Sequence, residues 1–169
     1  MTEAEKIANK LNMLPHPEGG YYKETYRSDG EITPNILGTD FTGKRNYSTC
    51  IYFLLTSDTF SAFHRIKQDE IWHFYKGAPI MLHIISEKGN YSNVIIGNDL
   101  ENNEFPQYIV KAKNWFAAEV IGNSTYSLLG CTVSPGFDFK DFELAERAAL
   151  TSKFPEQKTI IEKLTRINN

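Results

Sequence analysis

The residues best suited to chemistry are His64 and Glu70, which lie within the aromatic-rich stretch Ser61–Gly77. Three polar residues, 67–69, separate two strand-like runs and predict a hairpin that turns near residue 67. In such a hairpin His64 would face Glu70, with Cβ atoms roughly 5 Å apart. An imidazole and a carboxylate at that distance could bind one ion, share one proton or satisfy each other as a half-buried pair.

The predicted hairpin also sets the surroundings of this pair. Because side chains alternate between the two faces of a strand, four apolar side chains share the face of the pair: Ala62, Ile66, Trp72 and Phe74. Such a setting would shift the pKa values of the imidazole and the carboxyl group. His73 lies an odd number of residues from Glu70 and would point to the opposite face, unless a β-bulge turned it towards the site.

Length and charge narrow the class of protein. The 169 residues, 41% of them hydrophobic, predict one domain spanning 1–169. Eighteen Lys and Arg against 21 Asp and Glu give a net charge of -3, which argues against a nucleic acid or an anionic membrane as partner. The N-terminus lacks an apolar signal region, so we expect a cytoplasmic protein. Cys50 and Cys131 lie in apolar runs typical of buried free thiols.

The elements that must position the site are mostly short strands. Thr2 and Glu5 form a capping-box pattern that predicts an N-terminal helix. Its apolar stripe would contain Ile7, Leu11 and Leu14. Strands are predicted near 21–27, 47–55, 59–66, 70–75, 79–86, 91–97, 106–110, 115–121 and 125–133. A final helix begins near Pro155, so the pattern indicates an all-β sandwich or barrel with short helices at both ends.

The spacing of His64, Glu70 and Gly77 resembles the first signature of the cupin superfamily. Metal-binding cupins have two histidines separated by one residue in this signature, and this chain has Ile66 in the place of the second histidine. The resemblance implies a double-stranded β-helix, or jelly-roll barrel, which binds a small molecule in its interior.

A second cupin signature corresponds to residues 110–118, where Phe116 takes the position of the last metal-binding histidine. The blocks 15–22 and 130–143, together with the His64 segment, resemble one cupin family that is often described as predicted sugar epimerases. This resemblance implies a sugar-like ligand and a homodimer. The apolar stripe of Ile160, Ile161 and Leu164 could then dock on the outside of the barrel or on a second subunit.

The missing ligands leave the cofactor open between a divalent metal ion and none. A catalytic metal centre needs about three protein ligands, and His64 with Glu70 supplies only two. A third ligand could be His73 on a bulged strand, His83 on the following strand, or Glu24 or a tyrosine of the first strand.

Without a metal, cupin-like sugar epimerases use a histidine base. By resemblance, His64 would be the base, Glu70 would orient it, and Tyr22, Tyr26 or Tyr52 would be the acid. Four cations are candidates for an anion clamp: Lys23, Arg27, Arg45 and Arg65. Four aromatic side chains either line a cup for a ring-shaped ligand or pack the core: Trp72, Phe74, Trp115 and Phe116.

The loop of residues 15–20 carries two further ionisable groups, His16 and Glu18, among its prolines and glycines. Its composition favours a rigid turn. The alternatives are a segment that closes over the barrel mouth or one that lies across a dimer interface.

The sequence therefore favours a small-molecule-binding cupin barrel, with an isomerase or epimerase-like activity that uses His64 and Glu70 for proton transfer. Two alternatives remain. One is a metal-dependent cupin enzyme with a reduced ligand set, and the other is a non-catalytic cupin that senses or stores a ligand.

Overall fold

A computed structural model describes residues 1–123 and 125–167 of the chain. The helices are α1 (Glu3–Leu11), α2 (Pro34–Leu37), α3 (Arg147–Lys153) and α4 (Lys158–Lys163). The strands are β1 (Leu14–Pro15), β2 (Tyr21–Arg27), β3 (Glu31–Ile32), β4 (Arg45–Asn46), β5 (Thr49–Thr56), β6 (Phe60–Arg65), β7 (Asp69–Gly77), β8 (Ile80–Ile85), β9 (Tyr91–Ile96), β10 (Glu104–Phe105), β11 (Gln107–Val110), β12 (Trp115–Val120), β13 (Tyr126–Ser134) and β14 (Glu143–Leu144). The predicted mostly-β architecture with short terminal helices is confirmed.

The strands form two six-stranded sheets that face each other across a shared core. The first sheet has the order β1-β2-β5-β13-β7-β11, and the second has the order β10-β9-β8-β12-β6-β14. Strands β3 and β4 form a separate small ladder. Within the described residues, no helix is long and apolar enough to cross a membrane.

The predicted hairpin between the His64 and Glu70 strands is wrong. Strand β6 pairs with β12 and β14, whereas β7 pairs with β13 and β11, so the two strands belong to different sheets. The chain crosses from one sheet to the other at residues 66–68 instead of reversing within a sheet. His64 and Glu70 therefore approach the same interior from opposite sheets.

The N-terminal helix begins where its capping box predicted. The Thr2 backbone donates to the Glu5 carboxylate over 2.7 Å, and the Glu5 backbone donates to the Thr2 hydroxyl over 3.2 Å. The predicted stripe is wrong at Leu14, which lies after the helix and is 62% exposed. The small side chains Ala4 and Ala8 are buried instead, because they let α1 approach the outside of the first sheet closely.

The C-terminal helices cover the outside of the second sheet. Ile161 and Leu164 are fully buried against Phe63, Ile85 and Trp115, so the predicted apolar stripe docks on the barrel of its own chain. The interpretation of Trp115 as a pocket residue is wrong, because this ring lies beneath the helices.

A buried ion pair anchors residues 137–142, a segment that contains Phe137, Phe139 and Phe142. The Arg45 guanidinium donates to both carboxylate oxygens of Asp141 over 2.7 and 2.6 Å, and the Gln68 amide donates to Asp141 over 2.7 Å. Bidentate pairing of this kind suits a structural role. Arg45 is thus engaged within the protein fold and does not reach the cavity as an anion clamp.

Candidate functional site

A cavity of about 510 Å³ opens between the two sheets. Its chemistry-bearing side chains come from distant parts of the chain: His16, Glu18, His64, Glu70 and Cys131. Its walls are largely aromatic and include Tyr22, Phe53, Phe137, Phe139 and Phe142. Such a combination of apolar walls with a few convergent polar groups is typical of a small-molecule site.

His64 is bonded at both ring nitrogens. Its Nε2 lies 2.9 Å from the Glu18 carboxylate, and its Nδ1 donates to the Ala62 carbonyl over 2.8 Å. Both members of the His64–Glu18 pair are buried. The carboxylate next to His64 Nε2 is therefore Glu18, from a loop more than forty residues earlier in the sequence, and not the expected Glu70.

A tight loop brings Glu18 into the interior. The Ala62 backbone donates to the Glu18 carbonyl over 2.8 Å, and the Ser61 hydroxyl donates to the Glu18 carboxylate over 2.9 Å. Gly19 has a φ of +121°, and a Cβ added there would lie 2.1 Å from the carbonyl oxygen of Phe60. Only glycine fits this approach, so the Glu-Gly-Gly sequence is what lets the loop turn inward against β6.

The contact between His64 and Glu18 favours the ionised form of both groups. Burial by itself would lower the pKa of His64, but the charge and hydrogen bond of Glu18 outweigh it and raise that pKa. Burial likewise opposes ionisation of Glu18, yet His64 and His16 together lower the pKa of its carboxyl group. His16 itself has a lowered pKa because it is buried, so its imidazole is neutral near pH 7.

Glu70 is the carboxyl group that holds a proton most tightly in the cavity. Its pKa is raised to about 7. Burial is the main cause and the charge of Glu18 adds to the rise, while the charge of His64 and a hydrogen bond with Cys131 oppose it. Burial and the nearby Glu70 also raise the pKa of Cys131, which keeps it a thiol. A carboxyl group with a pKa near neutrality can both accept and release a proton, as a general acid–base catalyst must.

The other predicted site residues divide into three groups. Tyr22 and Glu24 line the cavity. Trp72, Phe74 and Phe116 face the interior but fill the core beside the cavity, with the Phe116 ring centroid 4.1 Å from that of His64. The prediction of Tyr26 and Tyr52 as pocket residues is wrong, because both lie on the outside of the first sheet. Tyr52 points outward by the ordinary alternation of β5, whereas a register irregularity between Glu24 and Tyr26 turns Tyr26 away from the face that carries Tyr22 and Glu24.

The two remaining histidines also lie outside the cavity. The register of β7 shifts between Phe74 and Lys76, beyond His73, so His73 keeps its outward direction and bonds Thr132 over 3.0 Å and Gln107 over 3.2 Å. His83 bonds the Tyr91 hydroxyl over 2.8 Å and the Glu119 carboxylate over 3.2 Å on the outside of the second sheet. Neither histidine can complete a metal site with His64.

The donor set does not fit the metal centre that the cupin resemblance implied. Two of the four ligand positions hold the apolar side chains Ile66 and Phe116, and both ring nitrogens of His64 are already bonded. Across residues 1–123 and 125–167, no group of three or more His, Cys, Asp or Glu side chains is arranged to hold a metal ion.

The loop of residues 15–20 contributes more to the site than a rigid turn would. The structure places His16 and Glu18 in the cavity, where they contact each other at 3.4 Å. The sequence reasoning that favoured a turn missed this role. The signal in the sequence was the presence of His16 and Glu18 in this loop. A rigid turn needs the prolines and glycines, but it needs neither a histidine nor a glutamate.

Comparisons with known proteins agree with this architecture. Residues 5–145 match the family described as Cupin superfamily (DUF985). The chain is 30% identical over 146 residues to uncharacterized protein YML079W of Saccharomyces cerevisiae, covering 81% of this chain and 72% of the yeast protein. The structure resembles protein SO0799 from Shewanella oneidensis with a TM-score of 0.89 and 35% identity, over 99% of this chain and 100% of that one.

A hypothetical protein from Leishmania major also superposes with a TM-score of 0.89 and 33% identity, over 99% and 100% of the two chains. Oxalate decarboxylase from Bacillus subtilis matches at a TM-score of 0.54 and 14% identity, over 89% of this chain and 36% of that one. The last likeness shows a shared fold alone.

The raised pKa of Glu70 predicts a specific dependence of stability on pH. Between pH 4.5 and about 7 the unfolded chain has released this proton while the folded protein retains it. The free energy of unfolding should therefore fall as pH rises, by about 3 kcal/mol for this group. Urea unfolding at pH values from about 4 to about 8 gives the free energy of unfolding of the wild type and of Glu70→Gln. The wild type should lose this stability relative to the variant as the pH rises.

The exposed Glu101 offers a matched control for this comparison. Glu101→Gln should follow the wild-type pH dependence throughout. A wild type and a Glu70→Gln variant with parallel stability curves would contradict the assignment of a retained proton to Glu70.

Proposed function

Because the chain belongs to the cupin superfamily, in the DUF985 family, we propose that its jelly-roll barrel binds a small organic molecule and transfers a proton within the cavity. The observation that carries the proposal is Glu70, a buried carboxyl group whose pKa of about 7 suits proton transfer at physiological pH. Glu70 lines the same cavity as the His64–Glu18 pair, so a ligand bound in the cavity would lie close to the carboxyl group and to that pair.

The proposed step is enolisation of a carbonyl compound. The Glu70 carboxylate removes a proton from the carbon next to the carbonyl, and the electron pair of that C–H bond moves onto the carbonyl oxygen. Return of the proton to either face of the carbon gives back the substrate or its epimer. If that carbon bears a hydroxyl group, transfer of the hydroxyl proton to the former carbonyl oxygen and return of the carbon proton to the former carbonyl carbon give the isomer with the carbonyl group moved by one carbon. No redox partner is needed for this balance.

His64 and Tyr22 have distinct roles in this step. The His64 imidazolium, held by Glu18, places a positive charge near the enolate and so offsets the negative charge that develops. Tyr22 lines the same cavity and supplies the hydroxyl that donates to the enolate oxygen. Glu70 thus takes the role of base that the sequence suggested for His64, and Glu18 takes the orienting role suggested for Glu70.

The reaction class is therefore isomerase or epimerase-like, acting on a sugar-like carbonyl compound. The mechanism uses no metal, because the donors at the cupin ligand positions do not fit one. The apolar Ile66 and Phe116 at two of those positions also favour a second candidate, a non-catalytic barrel that binds the same ligand without turnover.

Deuterium exchange tests the proposed chemistry on a panel of unphosphorylated ketoses and aldoses. We expect the wild type to catalyse exchange of the proton next to the carbonyl in D₂O for at least one member of this panel. Glu70→Gln should slow this exchange by about 100-fold or more, because general base catalysis is lost. NMR integration of the exchanging proton gives the rate, and Glu101→Gln should keep the wild-type rate.

Exchange that survives Glu70→Gln would contradict the role of Glu70. A panel member that raises the Tm of the wild type without any exchange would favour the non-catalytic binding barrel instead.

The protein is proposed to act as a homodimer through the outside of its first sheet. Outward side chains of β2, β7 and β11 leave an aromatic and aliphatic surface there, with Tyr26 55%, Tyr75 46% and Ile109 44% exposed. An exposed apolar sheet face of this kind suits burial against a second copy of the same face. The C-terminal stripe cannot supply this contact, since it is buried within its own chain.

Sedimentation equilibrium tests the dimer. The wild type should sediment as a dimer, and Ile109→Lys should weaken association by about tenfold or more, because it buries a charge in the apolar interface. Ile36→Lys is the matched control, since Ile36 is 74% exposed but lies on α2. A monomeric wild type, or equal dissociation constants for the two variants, would contradict this interface.

A further inference from the structure

The cavity has an acidic balance of charge. Four carboxyl groups line it, contributed by Glu18, Glu24, Glu70 and Asp138. Only two cations accompany them, the guanidinium of Arg27 and the imidazole of His64. Even when Glu70 retains its proton, the other three carboxyl groups outnumber these two groups. A ligand that brings further negative charge would therefore enter an unfavourable field.

Both of these cations are already engaged within the protein. Arg27 Nε donates to one Glu24 oxygen over 2.9 Å, and Arg27 Nη2 donates to the other over 2.7 Å. The same guanidinium also donates to the Phe137 carbonyl and to the Asn46 amide oxygen. Four of the five N–H groups of Arg27 are therefore used within the protein, and both ring nitrogens of His64 are hydrogen-bonded to Glu18 and Ala62, which leaves these cations little donor capacity for an incoming anion.

The other cations considered for an anion clamp lie away from the cavity. Arg45 pairs with Asp141 inside the fold, and Arg65 pairs with Glu143 at 2.6 Å on another surface. Lys23 is exposed and does not line the cavity. A phosphate or a nucleotide tail would have to bind without any of the contacts that normally hold such groups.

The walls suit a flat ring. The His16 ring meets Tyr22 edge-on at 4.8 Å and stacks with Phe139 at 6.0 Å. Phe142 approaches the same imidazole at 5.9 Å, and Phe139 is 48% exposed, so aromatic surface continues from the interior to the mouth. Aromatic faces attract ring compounds and, through their negative π surface, organic cations.

From this balance we infer that the cavity selects an uncharged or cationic ring compound and rejects carboxylates, phosphates and nucleotides. The inference rests on the proposed function for the identity of the binding site. It restricts the sugar-like class to unphosphorylated molecules, and it gives the Arg27–Glu24 pair the role of excluding anions from the mouth of the cavity.

Three probes of nearly equal shape measure this selectivity: benzamide, benzamidine and benzoate. Near neutral pH they are uncharged, cationic and anionic, respectively. NMR titration of the wild type with each probe at millimolar concentration should give dissociation constants for benzamide and benzamidine at least about tenfold lower than for benzoate. Benzoate binding as tight as benzamide binding, or the absence of binding by all three probes, would overturn the inference.

A variant pair tests the role of the mouth. Glu24→Gln releases Arg27 from its counterion and should improve the affinity for benzoate relative to benzamide by about tenfold. Glu143→Gln releases Arg65 in the same way, but outside the cavity, and should leave the ratio unchanged. Equal ratios in the two variants would overturn the role given to Arg27 and Glu24.

These outcomes are separable from those of the exchange experiment. A preference for benzoate, together with proton exchange that depends on Glu70, would remove the charge selectivity and leave the catalytic proposal intact. If the three probes bind in the predicted order of affinity but no proton exchange is seen, the charge selectivity stands and the catalytic proposal is removed.

Discussion

Two opposite charges buried side by side, His64 and Glu18, constrain much of the architecture around the cavity. Removing such charges from water is costly, and only close geometry and further hydrogen bonds repay it. Ser61 and Ala62 supply those bonds from β6, next to His64 itself. The glycine turn that follows Glu18 delivers the carboxylate to this point, so the loop, the strand and the charge pair form one unit.

The pair matters for function because His64 contacts Glu18 directly, and its charge only partly offsets the effect of burial on Glu70. Had His64 paired with Glu70, as its position in the sequence suggested, the imidazolium would have held that carboxyl group ionised. With Glu18 in that place, burial dominates and Glu70 retains its proton to about pH 7. The apolar Ile66 and Phe116 keep the surroundings of low polarity, which strengthens both effects. Two similar carboxyl groups therefore have different protonation states in one cavity.

The limits of sequence reasoning follow from the same arrangement. Strand positions, the Thr2–Glu5 capping box and the inward direction of His64 and Glu70 were predictable because each depends on nearby residues. A hairpin and a crossing between sheets have the same local alternation. In the fold, the crossing segment is anchored by a hydrogen bond from Gln68 to Asp141, a contact between residues far apart in the chain. The pairing of Glu18 with His64 is equally remote, and no periodicity encodes it.

The most direct test of this account is the titration of Glu70 itself, observed by ¹³C NMR of carboxyl-labelled glutamate and assigned by the signal that is lost in Glu70→Gln. The account predicts an apparent pKa of about 7 for this carboxyl group in the wild type. A Glu70 signal that titrates near the ordinary value of 4.5 would contradict the claim that the barrel keeps a proton there, and with it the acid–base role of the cavity.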